Sequence, residues 1–484
     1  MSHLRRAVAL CLRAMPLPNI TGSPARTAEV SRSLPLRTGA TPAPVRAAFG
    51  VALHMHQPTV LGAGDPPTAP LISNLQQMLD NPGQGDNHNA PVFLRCYGRV
   101  ADLVGGLVGR GLRPRLMVDY SGNLLWGLAE MGQTEVLAAL SRTVEPPLAQ
   151  SIEWLGTMWS HAVVSSTPVP DLVLHMLAWR HHFAALFGLP ALARVRGFSA
   201  PEMDLPVHPD ACFAYVRALR SCGYRWLMVQ EHTVENLDGT PLRQTRVPHR
   251  LVARNSEGET ESIPVLVKTQ GSDTKLVGQM QPLGEARALG RVLLGDRLVP
   301  PYCLQIGDGE NGGVMMNEFP PAYQAAFEQL GDGDVVAMNG SEYLEALAAM
   351  GVDEGAFPSA QPRSQHRIWA EVTSPGPGAA DRAIRGLRER DPSFKIDRAS
   401  WTNDRSWLDG YDDVIDPMLR LSARFHERWD GAGAGAPDDP AYCRSLLTLL
   451  LSQTSCFRYW GRGVWTDTAQ EICRRGLASL DAVP

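Results

Sequence analysis

Residues 304–311 read LQIGDGEN, and this stretch indicates both the fold class and the place of the chemistry. An apolar run from Val299 to Ile306 stops at a glycine and is followed by Asp308 and Glu310. An apolar run closed by Gly-Asp-Gly predicts a buried strand that ends at a loop. In α/β barrels and open sheets, the reactive groups lie at the carboxyl ends of the strands. Asp308 and Glu310 are therefore candidate site residues.

The same pattern recurs through residues 49–338, where short apolar runs alternate with segments of helical periodicity. The predicted strands cover residues 49–56, 114–120, 195–198, 224–230, 264–269, 299–306 and 334–338. Strands that alternate with helices are typical of βα units around a parallel sheet. This number of units fits a closed barrel better than an open sheet in two domains. The sequence therefore predicts an α/β protein built around a (β/α) barrel.

Three further segments differ in composition from the predicted barrel at residues 48–348. Residues 1–47 are rich in arginine, and we expect a disordered or spurious leader, with a transit peptide as the alternative. Residues 349–400 are rich in Pro, Gly and Ser, which predicts a linker or an irregular excursion. Residues 401–484 show helical spacing and predict a helical domain packed on the barrel.

The overall composition excludes several classes of partner. The chain has 484 residues, a formal net charge of -5 and a pI of about 6.2, so it lacks the basic character typical of nucleic-acid binding. No apolar run approaches the roughly 20 residues that span a bilayer. The eight cysteines include no CxxC pair, which predicts reduced, buried thiols in a cytoplasmic protein.

A second carboxylate lies in a setting similar to that of Asp308. Glu202 directly follows Pro201 at the end of a predicted strand, where a proline is tolerated because it has no N–H to donate. A carboxylate held in this way can act as a nucleophile or a base, although this segment alone fits a surface loop acid equally well. Cleavage of a glycosidic bond uses two carboxylates, which lie about 5–5.5 Å apart in retaining enzymes. Glu202 and Asp308 could form such a pair at neighbouring strand ends.

The first predicted strand ends in HMHQP, residues 54–58. Residues i and i+2 of a strand face the same side, so His54 and His56 are expected to point together towards the barrel rim. The two imidazoles could ligate a metal or donate hydrogen bonds to sugar hydroxyls. The alternative is a pair of structural histidines.

Tryptophans occur beside several of these polar residues, among them Trp154, Trp401 and Trp407. Their flat rings can stack on sugar faces. The competing interpretation is core packing, which is the more common role of tryptophan.

Taken together, these segments resemble glycoside hydrolase family 57, whose members act on α-glucans. The similar stretches are HMHQP at 54–58, EWLG at 153–156 with His161, APE at 200–202, DGE at 308–310 and, loosely, residues 401–407. The resemblance spans about residues 48–465. It implies a (β/α)7-type incomplete barrel followed by a C-terminal helical domain, and an oligosaccharide or polysaccharide substrate, most simply an α-glucan.

The resemblance also implies roles for the site residues. Glu202 is expected to be the nucleophile and Asp308 the acid/base of a retaining double displacement that needs no metal and no cofactor. The expected substrate-binding residues are His54, His56, Gln57, Trp154, His161, Glu310, Trp401 and Trp407. Hydrolysis and transfer to another sugar are both compatible with this set.

Two other functions remain open at this level. A metal-dependent deacetylase or mannosidase-like enzyme on a related barrel could use His54, His56 and Asp308 as ligands. A non-catalytic glucan-binding protein could keep the same fold.

Overall fold

The computed structural model describes residues 17–20, 45–269, 275–310, 317–331, 333–397, 407–431 and 439–481. The strands are β1 Ala47–Met55, β2 Thr59–Leu61, β3 Leu71–Ser73, β4 Leu116–Tyr120, β5 Ile152–Trp154, β6 Gly197–Ser199, β7 Trp226–Gln230, β8 Val234–Asn236, β9 His249–Arg254, β10 Thr260–Lys268, β11 Val292–Leu294, β12 Arg297–Val299, β13 Tyr302–Asp308, β14 Val335–Ala337 and β15 Ser359–Pro362.

The helices up to the end of the barrel are α1 Asn74–Asp80, α2 Ala90–Gly98, α3 Val100–Gly109, α4 Gly122–Glu130, α5 Thr134–Thr143, α6 Val169–Phe187, α7 Leu189–Leu192, α8 Pro209–Ser221, α9 Lys275–Gly278, α10 Gln281–Ala288, α11 Phe319–Leu330 and α12 Gly340–Ala349. Beyond it follow α13 Gln365–Glu371, α14 Ala379–Arg390, α15 Asp412–Trp429, α16 Pro440–Ser452, α17 Cys456–Tyr459 and α18 Val464–Asp481.

Seven parallel strands form an almost closed ring within the described part of the chain. β1 pairs with β4 on one side and with β13 on the other, and β4 pairs with β5. On the far side of the ring, β6 pairs with β7, β7 with β10, and β10 with β13. Gly156, just after β5, forms a parallel bridge to Phe198 of β6 and joins the two ends. β10 and β13 share only the register pair Lys268–Leu304, so the ring is weakly bonded there. The expected α/β fold with a (β/α)7-type incomplete barrel is confirmed.

The alternation of side chains along each strand separates two cores. Ala48 and Ala52 of β1 face the barrel interior, together with residues such as Leu304, whereas Phe49 and Val51 pack outwards against the helices. The interior is filled with side chains rather than hollow, as in other small barrels. His54 and Asp308, by contrast, lie on this inward face at the carboxyl ends of β1 and β13.

Gly50 shows how tightly the interior is packed. A β-carbon added there would lie 2.0 Å from the hydroxyl of Tyr302, far inside any van der Waals contact. The Tyr302 hydroxyl donates to the carbonyl of Met338 at 2.8 Å. Glycine at position 50 is thus required by the Tyr302 side chain, which reaches over from the neighbouring strand β13.

The segment expected to be a linker, residues 349–400, is instead part of the folded structure where it is described. β15 lies in the main sheet between β9 and β8, and α13 packs against α14 around a small core that includes Ile368 and Leu387. The sequence SAQP of β15 contains no apolar run, and its pairing partners lie more than a hundred residues earlier. Local composition could not predict this strand because long-range pairing creates it.

Residues 401–484 are helical in their described part, as expected, with α15, α16 and α18 continuous with the main hydrophobic core. Within the leader, Ile20 is described and buried, and the Cys443 thiol contacts its carbonyl at 3.8 Å. No disulfide joins the cysteines in the part of the chain that the structure describes. No helix in the described ranges has the length and apolar character needed to cross a lipid bilayer.

Candidate active site

Three polar residues lie side by side at the carboxyl ends of the central strands. His54 of β1 is in register with Asp119 of β4 and with Asp308 of β13. Because the strands are parallel and the side chains of one face alternate, these three residues point into the mouth of the barrel at the same height. Strand register, rather than any local motif, therefore assembles the centre of the site.

His54 carries a positive charge at neutral pH. Burial alone would lower its pKa, but Asp119, together with Asp308 and Glu310, raises it to about 10. Its Nδ1 bonds to Asp119 Oδ1, and its Nε2 lies 2.7 Å from Nε2 of His161. A doubly protonated imidazole donates from both nitrogens, so His161 accepts at Nε2.

His161 is therefore neutral, with its remaining proton on Nδ1. Burial, with the neighbouring His56 and His54, keeps its pKa well below the usual 6.5. Nδ1 lies 2.6 Å from the Ser455 hydroxyl, which can accept this proton in a hydrogen bond. The residue adopts the left-handed region with φ 61°, which is uncommon outside glycine and is often found at functional sites.

The His56 ring stacks on that of His161, with centroids 4.0 Å apart and planes inclined by 10°. Its Nδ1 lies 2.8 Å from the Ser121 hydroxyl, and the Cys456 thiol approaches its Nε2 at 3.3 Å. Burial, with the charge on His54, lowers the pKa of His56 well below the usual value. The site thus contains one imidazolium and two neutral imidazoles.

Glu202 enters the site from a tight turn after β6. Proline precedes it, and Glu202 and Met203 both have positive φ, 57° and 51°. Such strained backbone at a strand end holds the carboxylate in one direction. Its Oε1 lies 3.9 Å from Nδ1 of His161. Burial and the charge of Asp308 raise the pKa of Glu202 to about 8, against the lowering effect of His54.

Asp308 and Glu310 join Glu202 in the cavity, so that with Asp119 four carboxyls surround the single imidazolium. Burial raises the pKa of Asp308 to about 6, while His54 lowers it and Asp119 raises it. Burial and Asp308 raise the pKa of Glu310 to about 8. Near neutral pH the three cavity carboxyls Glu202, Asp308 and Glu310 therefore hold protons more readily than isolated carboxyls do.

These groups line a cavity of about 320 Å³, which lies within the size range of small-molecule sites. Its lining residues are His54, His56, His161, Ser199, Ala200, Glu202, Met203, Ile306, Asp308, Glu310, Cys456, Tyr459 and Trp460. Within the described structure, the Ser199 hydroxyl and Glu310 Oε2 are buried and have no hydrogen-bond partner. Buried polar atoms of this kind favour a ligand rich in hydroxyl groups.

The other expected binding residues lie outside the cavity. Trp154 was expected at the site but is buried outside the barrel, packed against Tyr120 and Phe183, and it donates to the Thr143 hydroxyl at 2.8 Å. The strand direction turns its ring away from the cavity.

Gln57 and the two expected tryptophans of the C-terminal region also do not line it. Gln57 is buried and accepts from Asn74 at 3.0 Å. Trp407 is buried behind Tyr459, with the ring centroids 5.7 Å apart and nearly parallel. Trp401 lies outside the described residues.

The C-terminal helical region supplies one wall of the site, which the sequence pattern did not reveal. Ser455, Cys456, Tyr459 and Trp460 come from the turn before α17 and from its end. A backbone bridge between Ala162 and Thr454 ties this turn to the loop that carries His161. No local signal marks these residues, because the contact joins segments almost 300 positions apart.

Asp119 was not among the site residues predicted from the sequence, and the reason is different. It is an acid inside the apolar strand β4 and is fully buried. A buried acid in such a strand is itself a signal, since burying a carboxylate is costly unless it is paired. The sequence contained that signal but could not identify His54 as the partner.

Comparison with protein-family models and with curated protein sequences gives no match. Among solved structures, the chain is similar to a 4-alpha-glucanotransferase from Thermococcus litoralis, with a TM-score of 0.54 and 15% identity over 89% of this chain and 57% of that one. An exo-type maltose-forming amylase from Pyrococcus sp. ST04 gives a TM-score of 0.53 and 13% identity over 90% and 79% of the two chains.

An alpha-amylase from Thermotoga maritima gives a TM-score of 0.50 and 10% identity over 90% and 93%. The fold is shared with α-glucan-active enzymes. At these identities the likeness concerns the fold alone, and this chain spans little more than half the length of the glucanotransferase.

Proposed function

We propose that this protein is a family 57 glycoside hydrolase or glucanotransferase that acts on α-glucans by a retaining double displacement. The observation that carries the proposal is the meeting of Glu202 and Asp308, from separate strands, in one cavity lined by buried histidines. The shared fold with a glucanotransferase and two amylases supports it.

The proposed first step uses the two carboxyls as a pair. Asp308 gives its proton to the glycosidic oxygen, and Glu202 attacks the anomeric carbon as the bond to the leaving sugar breaks. Asp308, now ionised, then takes a proton from water or from a sugar hydroxyl, which attacks the glycosyl-enzyme and releases Glu202. Water gives hydrolysis, and a sugar hydroxyl gives transfer.

The proposed mechanism works in only one protonation state of Glu202 and Asp308. The reactive form has one proton on the pair, located on Asp308, and burial raises the pKa of both carboxyls, which favours keeping that proton. A glycosidic oxygen hydrogen-bonded to Asp308 would favour the protonated form of that carboxyl, and the imidazolium of His54 would help Glu202 to ionise. Substrate binding is thus proposed to place the proton of the pair on Asp308.

The pH dependence of kcat/KM is expected to be bell-shaped, with an optimum near pH 7. Below about pH 6 both Asp308 and Glu202 are protonated, so no nucleophile is available; above about pH 8 both are ionised, so no acid is available. Initial rates on maltoheptaose between pH 4 and 10 measure the two limbs. A rate that stays constant from pH 8 to 10 would contradict the assignment of a carboxyl acid.

The cavity also contains groups suited to sugar hydroxyls and sugar faces. His56 and His161 are neutral, and a sugar hydroxyl would take the place of one of their present hydrogen-bond partners. Trp460 is half exposed at the mouth. Trp465 packs edge-on against Trp460 at 4.8 Å and holds its ring in place. We propose Trp460 as the aromatic platform, in place of the expected Trp154.

The metal-dependent alternative is less well supported. Its ligand set included His54, whose two nitrogens are occupied by Asp119 and His161 and which is protonated at neutral pH. A protonated imidazole has no lone pair for a metal. His54 would have to lose both hydrogen bonds and a proton to serve as a ligand.

Product analysis after incubation with maltoheptaose tests the proposal. Longer or branched products indicate transfer, and only shorter products indicate hydrolysis. The anomeric configuration of the first product, followed by NMR, tests retention. Binding of maltoheptaose without any new product would reject an enzyme and favour a glucan-binding protein.

A further inference from the structure

Three ligand-type side chains meet at the inner wall of the cavity, apart from the proposed catalytic carboxyls. His56, His161 and Cys456 are buried, and each offers one atom to a group in which all three atoms lie within 4.8 Å of one another. They come from the end of β1, the loop after β5 and the start of α17. The barrel and the C-terminal helical region therefore build this cluster together.

The residue types of the cluster suit a metal ion. Two imidazoles and a thiol are nitrogen and sulfur ligands of the kind that Zn²⁺ takes. A thiol releases one proton when it binds the metal as a thiolate.

One pair of ligand atoms in the cluster already has the spacing of a zinc site. Bond lengths of about 2.0–2.3 Å to nitrogen and sulfur place neighbouring ligand atoms of a tetrahedral Zn²⁺ site roughly 3.3–3.6 Å apart. The Cys456 thiol and Nε2 of His56 are already 3.3 Å apart. His161 would have to tilt out of its stack on His56 and give up its bond from His54. This rearrangement weakens binding and favours a reversible site over a permanent one.

The surrounding groups have opposing effects on a cation. The carboxyls Glu202 and Glu310 line the same cavity, while the imidazolium of His54 opposes a second positive charge. Three protein ligands leave one tetrahedral position open. Since all three ligands line the cavity, an ion there would occupy the space of a bound sugar.

We propose that His56, His161 and Cys456 form a binding site for Zn²⁺, a soft-ligand site whose occupation blocks the cavity. On binding, the thiol of Cys456 releases one proton to solvent and its sulfur bonds to the ion, and each imidazole contributes a lone pair. The proposed metal binding does not depend on the proposed function. The blocking effect does rest on the proposed function, since metal-bound His56 and His161 could no longer bind the sugar.

Cobalt titration tests the binding directly. Protein stripped with EDTA and desalted is titrated with Co²⁺ as the spectroscopic stand-in for Zn²⁺, and one equivalent is expected to produce a thiolate-to-cobalt charge-transfer band that Zn²⁺ abolishes. Cys456→Ser is expected to lose the band and to weaken Zn²⁺ binding by about 10- to 100-fold. Cys443→Ser, which changes a half-buried thiol elsewhere in the helical region, is the matched control and keeps the band.

Two outcomes of the cobalt titration would overturn the proposed metal site. A charge-transfer band that persists in Cys456→Ser, or the absence of a one-equivalent band in the parent, overturns the site. Thermal unfolding of each variant shows that a lost band is not lost folding.

Turnover of maltoheptaose is then measured with and without Zn²⁺, with EDTA to reverse the effect. Inhibition that EDTA reverses supports the block, and unchanged turnover of the zinc-loaded protein overturns it. If maltoheptaose is not turned over in any form, the proposed function fails while the cobalt result still decides the metal site.

Discussion

Replacement of Glu202 by glutamine is expected to lower kcat on maltoheptaose by about 10⁴-fold or more, the scale seen when a covalent nucleophile is removed. Glutamine keeps the shape of the side chain but cannot form the glycosyl-enzyme. The turn that presents it, with positive φ at Glu202 and Met203, does not depend on the charge. Single-turnover and steady-state rates measure the loss, and Glu328→Gln, an exposed acid paired with Arg110, serves as the unreactive control.

The same variant is expected to be more stable than the parent at neutral and alkaline pH. The pKa of Glu202 is raised to about 8 in the folded protein, so its ionisation disfavours the fold as the pH rises from about 4.5 towards 8. Glutamine has no such penalty. Melting temperatures of the two proteins are therefore expected to converge below pH 4.5 and to differ by several degrees at pH 8. A variant that is inactive and less stable at pH 8 would point to misfolding instead.

A companion measurement separates nucleophile from acid. With Glu202→Ala, added azide is expected to attack the anomeric carbon from the vacated side and to give a glycosyl azide of inverted configuration. Asp308→Asn is expected to lose about 10²–10⁴ in rate and to give no such product, because the leaving sugar still lacks its proton. Unchanged turnover in both Glu202→Gln and Asp308→Asn would reject the assignment.

Asp119→Asn is expected to lower the stability of the protein by about 3 kcal/mol at pH 7, the largest effect expected away from the reacting groups. Asp119 is fully buried and supports the charge of His54, which is itself only slightly exposed. Removing the carboxylate forces His54 either to stay charged without a partner or to lose its proton. Either outcome also alters the hydrogen bond from His54 to His161 in the cavity. Activity is therefore expected to fall by about 10- to 100-fold.

The pH dependence of that destabilisation follows from the direction of the His54 shift. The folded pKa, about 10, lies above the ordinary 6.5, so the pairing contributes fully below pH 6.5 and is lost as the pH rises through 10. The difference in melting temperature between parent and Asp119→Asn is therefore expected to be large at pH 6.5 and small above pH 10. NMR titration of the His54 ring measures the pKa directly.

An exposed acid provides the comparison. Asp102 is paired with Arg142 at 2.7 Å on the surface, where solvent screens the charges. Asp102→Asn is expected to leave melting temperature and activity almost unchanged. A loss of stability as large as that of Asp119→Asn would show that the burial of the His54–Asp119 pair is not what matters.

Local signals in the sequence placed two candidate site residues at strand ends, where the structure also has them. Each follows a short apolar run, Asp308 directly after a glycine and Glu202 directly after a proline. Glycine and proline often mark the ends of strands. The alternation of side chains predicted that His54 and His56 would face one cavity, and they do. The predicted barrel and the helical C-terminal region rest on periodicity, which is also local.

Other predictions failed where distant contacts decide the outcome. Trp154 belongs to the core because β5 turns its ring outwards, and the segment around β15 is folded because distant strands pair with it. Trp460 and Cys456 reach the cavity only because the C-terminal region packs against the mouth of the barrel. Nothing near those residues in the chain predicts this packing.

The sequence by itself determined which chemical groups are present and at which strand ends they stand, because strand ends and side-chain alternation depend on neighbouring residues. Only the tertiary structure decided that Asp119 pairs with His54, that His161 is neutral, and that Glu202 and Asp308 share one cavity. Strand register and burial set those relations. These relations arise from residues that the fold brings together across the barrel. The protonation of each group depends on the charged groups around it rather than on any single motif.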